Sequence, residues 1–229
     1  MRTILRKLKK KFLLNKFFFR ISSFQEEEDM ICRLFFQNRK QYKGFYIDIG
    51  AQHPYRFSNT LPFYQRGWRG INVEPTFGAV NLFNTFRQRD INLHAGVSSE
   101  EGTLPFYCFK DPALNSFSGD RSAHYAASGR YVLKKIITVK TIPLAQILDD
   151  YLPEETAIDL LNIDTEEFDL EVLQSNNWDK YIPLFIMIEV GITLEHLLAS
   201  EIYNYLLARN YELIGQTKHT IFFKLKIMT

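Results

Sequence analysis

Carboxylates stand at the ends of four apolar runs in this chain. Phe45–Ile49 contains Asp48 and leads into Gly50 and Ala51; Ile71–Glu74 ends in Glu74. Asp159–Ile163 leads into Asp164, Glu166 and Glu167, and Leu184–Ile188 leads into Glu189. If the last two runs are neighbouring strands, Asp164, Glu166 and Glu189 converge on one cleft. Clustered carboxylates raise one another's pKa, which makes a general base, or they hold a hard cation such as Mg²⁺. The plainer reading is that Glu166 and Glu167 favour a helix N-terminus and that Glu189 is solvated.

The first two runs point to a nucleoside. Gly50 permits a tight turn and close approach of a ligand to the backbone. Glu74 follows it by 24 residues, a spacing at which a carboxylate accepts hydrogen bonds from both hydroxyls of a ribose. The turn itself reads Gly-Ala-Gln-His-Pro-Tyr. It lacks the second and third glycines of G-x-G-x-x-G, and no Walker loop occurs, so nothing cradles a pyrophosphate. That disfavours an NAD-dependent oxidoreductase. A cofactor with a ribose but no phosphate, of which S-adenosylmethionine is one, fits better.

These residues need a sheet to bring them together. Predicted strands at 45–49, 71–74, 91–97, 104–109, 136–139, 159–163 and 184–188 are interleaved with predicted helices at 58–65, 77–87, 144–151, 168–174 and 194–209. Alternation of this kind predicts an α/β domain with a mostly parallel central sheet and helices on both faces. The last two strands, Tyr211–Ile214 and Thr220–Leu225, are joined by a short loop and predict an antiparallel pair at one side. Asp111–Gly129, rich in Ser, Ala, Gly and Asp, reads as a long loop; its Asn115, Ser116, Ser118, Asp120, Arg121, His124 and Tyr125 suit a polyhydroxylated ligand. Tyr107, Phe117 and Tyr131 are candidates to stack on a sugar face.

With 229 residues, 46% hydrophobic and 24% charged, the chain has ample material for a core. No apolar run is long enough to span a bilayer. Cys32 and Cys108 form neither a disulfide framework nor a zinc site, which fits a reducing, cytoplasmic compartment. The net charge of +2 is uneven: residues 1–20 hold eight cations and no acid, which leaves 20 basic against 26 acidic residues elsewhere. A net-acidic body is a poor partner for nucleic acid. Residues 1–21 therefore read as a basic arm and 22–229 as one domain. Within the arm Ile4, Leu8 and Phe12 fall on one helical face, which suits peripheral contact with the inner face of an anionic membrane; packing on the domain is the alternative. Ser23 and Glu26 have capping-box spacing before a helix over Met30–Phe36.

In combination these segments resemble the FkbM family of S-adenosylmethionine-dependent O-methyltransferases. The matching pieces are FQEEEDMI (24–31), GFYIDIGAQHPYRFSNT (44–60), GWRGINVEP (67–75), INLHAGVSSEEG (91–102), LLNIDTEEFDLEVL (160–173) and FIMIEVG (185–191), in the family's order. The resemblance implies a Rossmann-like methyltransferase fold and transfer of a methyl group to a hydroxyl oxygen of a sugar, glycan or related natural product. It implies that Asp48, Gly50 and Ala51 line the methionine end of the cofactor, that Glu74 binds the ribose, and that Val97 and Ser98 face the adenine. Ser58, Asn59 and Thr60 match the segment near cofactor and acceptor, and Gln25, Glu28 and Asp29 a helix over the site. Asp164 and Glu166 match the acidic motif.

For the hydroxyl proton, Asp164 or Glu166 is the expected base or metal ligand, and His53 the alternative base; His94 and His124 read as structural and surface histidines. Two departures stand out: Glu167 where the family usually has glycine, and Phe24 where it has a small residue. The competing function is a non-catalytic membrane- or complex-associated module with a vestigial nucleoside pocket.

Overall fold

The computed structural model describes residues 42–226. The basic arm, the helix expected over Met30–Phe36, Gln25, Glu28, Asp29 and Cys32 lie outside the described residues. In chain order the first elements are β1 (Phe45–Ile49), α1 (Leu61–Gln65), β2 (Arg69–Glu74), α2 (Phe77–Phe86), β3 (Ile91–His94) and β4 (Gly96–Val97). Then come β5 (Gly102–Phe109), α3 (Gly119–Ala127), β6 (Leu133–Ile142), α4 (Leu144–Tyr151), β7 (Leu160–Ile163) and α5 (Asp169–Gln174). The chain closes with β8 (Phe185–Glu189), α6 (Leu194–Leu198), α7 (Glu201–Leu207), β9 (Tyr211–Gln216) and β10 (Thr220–Leu225).

Seven strands form the main sheet in the order β3-β2-β1-β7-β8-β10-β9, parallel except for β10, which runs antiparallel to both neighbours. Every residue of β1 and β7 is buried. Their apolar runs do not alternate with polar residues because both faces of the sheet are covered. Ile47, Ile49, Leu161 and Ile163 pack on one face with Leu144 and Ile147 of α4; Tyr46, Leu160 and Met187 pack on the other with Phe63 and Trp68. The strand order reverses between β1 and β7, so a crevice opens beyond their carboxyl ends, where an α/β sheet binds ligands.

Three expectations need correction. Residues 91–97 are not one strand. Ile91–His94 extends the main sheet, whereas Gly96–Val97 pairs in parallel with β6 in a separate three-stranded sheet ordered β4-β6-β5. Asp111–Gly129 is not a loop throughout: it holds a 3₁₀ turn over Pro112–Leu114 and the helix α3. That helix buries only Ser122, so it shows no apolar periodicity in the sequence, and it starts on a Ser118 side-chain cap. The helix expected over 194–209 breaks at Ala199–Ser200, where the Ser200 hydroxyl accepts from the Tyr203 N–H and starts α7.

Candidate active site

A cavity of about 290 Å³ lies at the sheet's switch point. Its floor includes Ile49 and Gly50 at the end of β1, Glu74 at the end of β2, and Asp164, Thr165 and Glu166 after β7. Gly50 is required there. Its φ is +79°, and a Cβ at this position would lie 1.8 Å from the Asp164 carbonyl oxygen, so no other residue fits between the two strand ends.

Glu74 is 5% exposed, and both its oxygens are engaged. Oε2 accepts from the Gln52 N–H at 2.8 Å and Oε1 from the Thr76 N–H at 2.8 Å. Burial raises its pKa, and these hydrogen bonds oppose the rise. A carboxylate offers about four lone-pair positions, so the two oxygens keep room for donors from the cavity. A vicinal diol is the donor set that matches two fixed oxygens facing one pocket. The Val97 side of the cavity is apolar, with Val73, Ala79 and Leu82, as a flat aromatic base requires. The residues thus fit the ribose and base of a nucleoside.

Of the other residues expected to touch the cofactor, Val97 lines the cavity, whereas Asp48, Ala51, Asn59 and Ser98 do not. Asp48 is 2% exposed and accepts from Thr60 Oγ1 at 2.5 Å and from Asn162 Nδ2 at 2.9 Å. Asn59 donates to Asn162 at 3.2 Å. These four residues form a brace behind the floor. Arg87, at 1% exposure, completes it: Nη2 donates to Ser58 Oγ at 2.6 Å, Nη1 to Tyr46 Oη at 2.9 Å, and Nε to the Pro54 carbonyl at 3.2 Å. Asp90 lies 3.6 Å away as its counter-ion. Helix α1 therefore begins at Leu61 rather than Ser58, because Ser58 and Thr60 are held by Arg87 and Asp48. The loop between bears strain at the cavity wall: Gln52 and Phe57 both line the cavity, with φ of +49° and +55°.

At the acidic end Asp164 and Glu166 line the cavity and Glu189 joins them. Asp164 is half-buried and hydrogen-bonded to Glu189; desolvation first, then the charges of Glu189 and Glu166, raise its pKa well above its ordinary value. Glu166 is raised to about 7, chiefly by burial, although Arg121 opposes the shift. Asp169 is raised to about 6 by burial and accepts from the Thr165 hydroxyl. Among the described residues no group of three or more His, Cys, Asp or Glu side chains is arranged to hold a metal ion. Glu166 is ion-paired with Arg121.

His53 lines the cavity, but its Nδ1 accepts the N–H groups of Tyr55 at 3.1 Å and Arg56 at 3.0 Å. Burial and the nearby Arg56 charge lower its pKa. The neutral ring is thus fixed with its proton on Nε2, a donor rather than a base.

Residues 112–121 wall the cavity from the side. Pro112, Ala113, Asn115 and Phe117 line it, Ser116 Oγ donates to the Glu166 carbonyl at 2.7 Å, and Phe117 meets Phe168 with ring centroids 5.8 Å apart. Glu167 ties this wall down: Oε2 accepts from Ser118 Oγ at 3.0 Å and Oε1 lies 3.7 Å from Arg121 Nη1. Its φ of +81° is the conformation that suits glycine. The side chain that strains the turn is thus the one that reaches α3. Glu167→Ala, which keeps the strain and loses the contacts, should be less stable than Glu167→Gly by about 1 kcal/mol; paired urea melts measure the difference.

Sequence reasoning missed Gln52, Arg56 and Phe57 in the cavity wall and Arg87 behind it. A lone arginine at the end of an apolar helix carries no signal of burial. The Ser-Asn-Thr segment signals a site, not its partner 27 residues on.

Among sequence families, the one described as "Methyltransferase FkbM domain" matches residues 48–213. No curated protein matches the chain. Among solved structures, the chain is similar to that of Methyltransferase FkbM from Methylobacillus flagellatus KT, at 14% identity and a TM-score of 0.47. The likeness covers 80% of this chain and 43% of that one, so the chain spans less than half the length of this relative.

Proposed function

The chain belongs to the FkbM methyltransferase family, and on that premise we propose that it is an S-adenosylmethionine-dependent O-methyltransferase acting on a hydroxyl of a sugar, glycan or related polyol. The observation that carries this reading is the cavity's two ends: a buried carboxylate suited to a diol at Glu74, and a proton-accepting carboxyl group at Asp164 and Glu166. The bound cofactor supplies an electrophilic methyl group, so the residues are left with positioning and proton transfer.

Gly50 lets the ligand approach the strand ends, Glu74 orients the ribose, and the strained Gln52–Phe57 loop encloses the other side. The Asp164–Glu189 pair or Glu166 takes the hydroxyl proton as the acceptor oxygen bonds to carbon. His53, as an Nε2–H donor, holds an acceptor oxygen. Asn115 of the 111–121 wall lines the cavity and offers its side-chain amide to a hydroxylated acceptor. No cation is needed in this scheme. A reducing cytoplasmic location, with the basic arm at an anionic membrane face, completes the reading.

The proposal is tested by release of S-adenosylhomocysteine from S-adenosylmethionine in the presence of neutral mono- and oligosaccharides, followed across pH. A base must be ionised to act, so the rate rises as pH passes through about 7 with the ionisation of Glu166, and chelator leaves it unchanged. A rate that falls over this range, or one restored only by added cation, would reject the proton-transfer scheme.

A further inference from the structure

The three-stranded sheet is polarised in a way the cavity does not use. At its near end Glu101 pairs with Lys140 at 2.9 Å. At its far end the β5–β6 ladder closes where the Lys110 N–H donates to the Val132 carbonyl at 2.8 Å. There Lys110, Arg130, Lys134 and Lys135 are all exposed, and residues 130–136, Arg-Tyr-Val-Leu-Lys-Lys-Ile, contain no acid. The same segment carries Tyr131, Val132 and Ile136, exposed by 38%, 59% and 54%. The rim is firmly built: Tyr131 packs on Tyr125 at 4.9 Å between ring centroids, and Tyr125 on Phe109 at 6.0 Å. Asp111 is the acid beside it, and its carboxylate accepts from the Ala113 N–H.

We infer that this rim is a docking surface for an anionic lipid bilayer, seating the enzyme with the 112–117 wall of its cavity beside the membrane. Cations alone would suit any polyanion, but exposed valine and isoleucine gain only where they leave water for an apolar medium. A bilayer interface offers both anionic headgroups and acyl chains. A second copy of this chain does not fit, since a two-fold contact through the rim would set its lysines against one another. The surface is separate from the basic arm at residues 1–20 and does not depend on the methyltransferase reading.

The test is co-sedimentation of the full chain with vesicles of equal parts phosphatidylcholine and phosphatidylglycerol, against vesicles of phosphatidylcholine alone. Lys134→Glu with Lys135→Glu should lower partitioning into the anionic vesicles by at least about tenfold, and Val132→Asp with Ile136→Asp should lower it several-fold, the arm being intact in both. S-adenosylhomocysteine affinity, measured on the same proteins, should not change, which separates a failure of docking from a failure of the cofactor pocket. Ile136→Trp gives a second readout, a blue shift of its fluorescence on anionic vesicles, that needs no charge reversal. Wild-type protein that ignores anionic vesicles, or rim variants that bind them as the wild type does, would overturn the inference. So would binding that is lost in the lysine pair alone and is equally strong to heparin, which marks a polyanion site.

Discussion

Asp164→Asn should lower turnover by about 10²- to 10⁴-fold and leave S-adenosylhomocysteine affinity unchanged. The asparagine keeps the shape of the side chain, and its amide N–H can donate to Glu189, the residue to which Asp164 is hydrogen-bonded. Packing at the end of β7 is therefore retained, and the Asp164 carbonyl, which sets the space at Gly50, is a backbone atom that the substitution does not alter. What is lost is the ability to take a proton at that point. Initial rates with a responsive acceptor, set beside calorimetric affinities, measure the two effects separately. Turnover equal to wild type would move the base to Glu166, whose carboxyl titrates at about 7 beside Arg121. Loss of affinity in parallel with rate would instead make Asp164 a binding residue.

Arg87→Met should destabilise the fold by about 3–5 kcal/mol, the cost of leaving a buried carboxylate without its partner. Asp90 would lose its counter-ion, and Ser58, Tyr46 and the Pro54 carbonyl would lose a buried donor. For a domain of this size that corresponds to a fall of roughly 6–20 °C in melting temperature. Arg87→Lys should recover little of it, because one ammonium cannot reach partners that a planar guanidinium satisfies on several sides. Asp90→Asn in the Arg87→Met background should recover part of the loss by removing the stranded charge. Thermal melts of the four proteins check this, and a loss below about 1 kcal/mol would show that the brace is not held as the hydrogen bonds imply.

Both effects sit at places where sequence and structure part company. The parallel core was legible because β7 and β8 are apolar runs closed by carboxylates and β1 is one closed by Gly50, and burial on both faces leaves few other readings for such runs. Gly50 and Glu74 were legible for the same reason: each is a polar or permissive residue at the end of a run. The brace was not. Asp48 sits inside β1 with its neighbours, and only the fold reveals that it turns toward Thr60 and Asn162 rather than into the cavity.

The second sheet escaped because Gly96–Val97 follows Ile91–His94 after a single residue, so one apolar stretch serves two sheets. There Gly96 is necessary, since a Cβ would stand 2.4 Å from the Phe117 ring. Helix α3 escaped because its inward face offers Ser122 rather than a leucine. The role of His53 turned on which nitrogen faces the backbone, which spacing does not encode.

The pocket's identity rests most directly on one titration, S-adenosylhomocysteine into the purified full chain and into Glu74→Ala, with melting curves to confirm that both are folded. Wild-type protein should bind, and the variant, lacking the two oxygens that face the cavity, should bind at least about tenfold more weakly, as loss of hydrogen bonds to a charged group requires. No heat from a folded wild-type protein, or equal affinity in the two proteins, would mean that Glu74 does not hold a ribose and that the cavity is a vestige on a non-catalytic module.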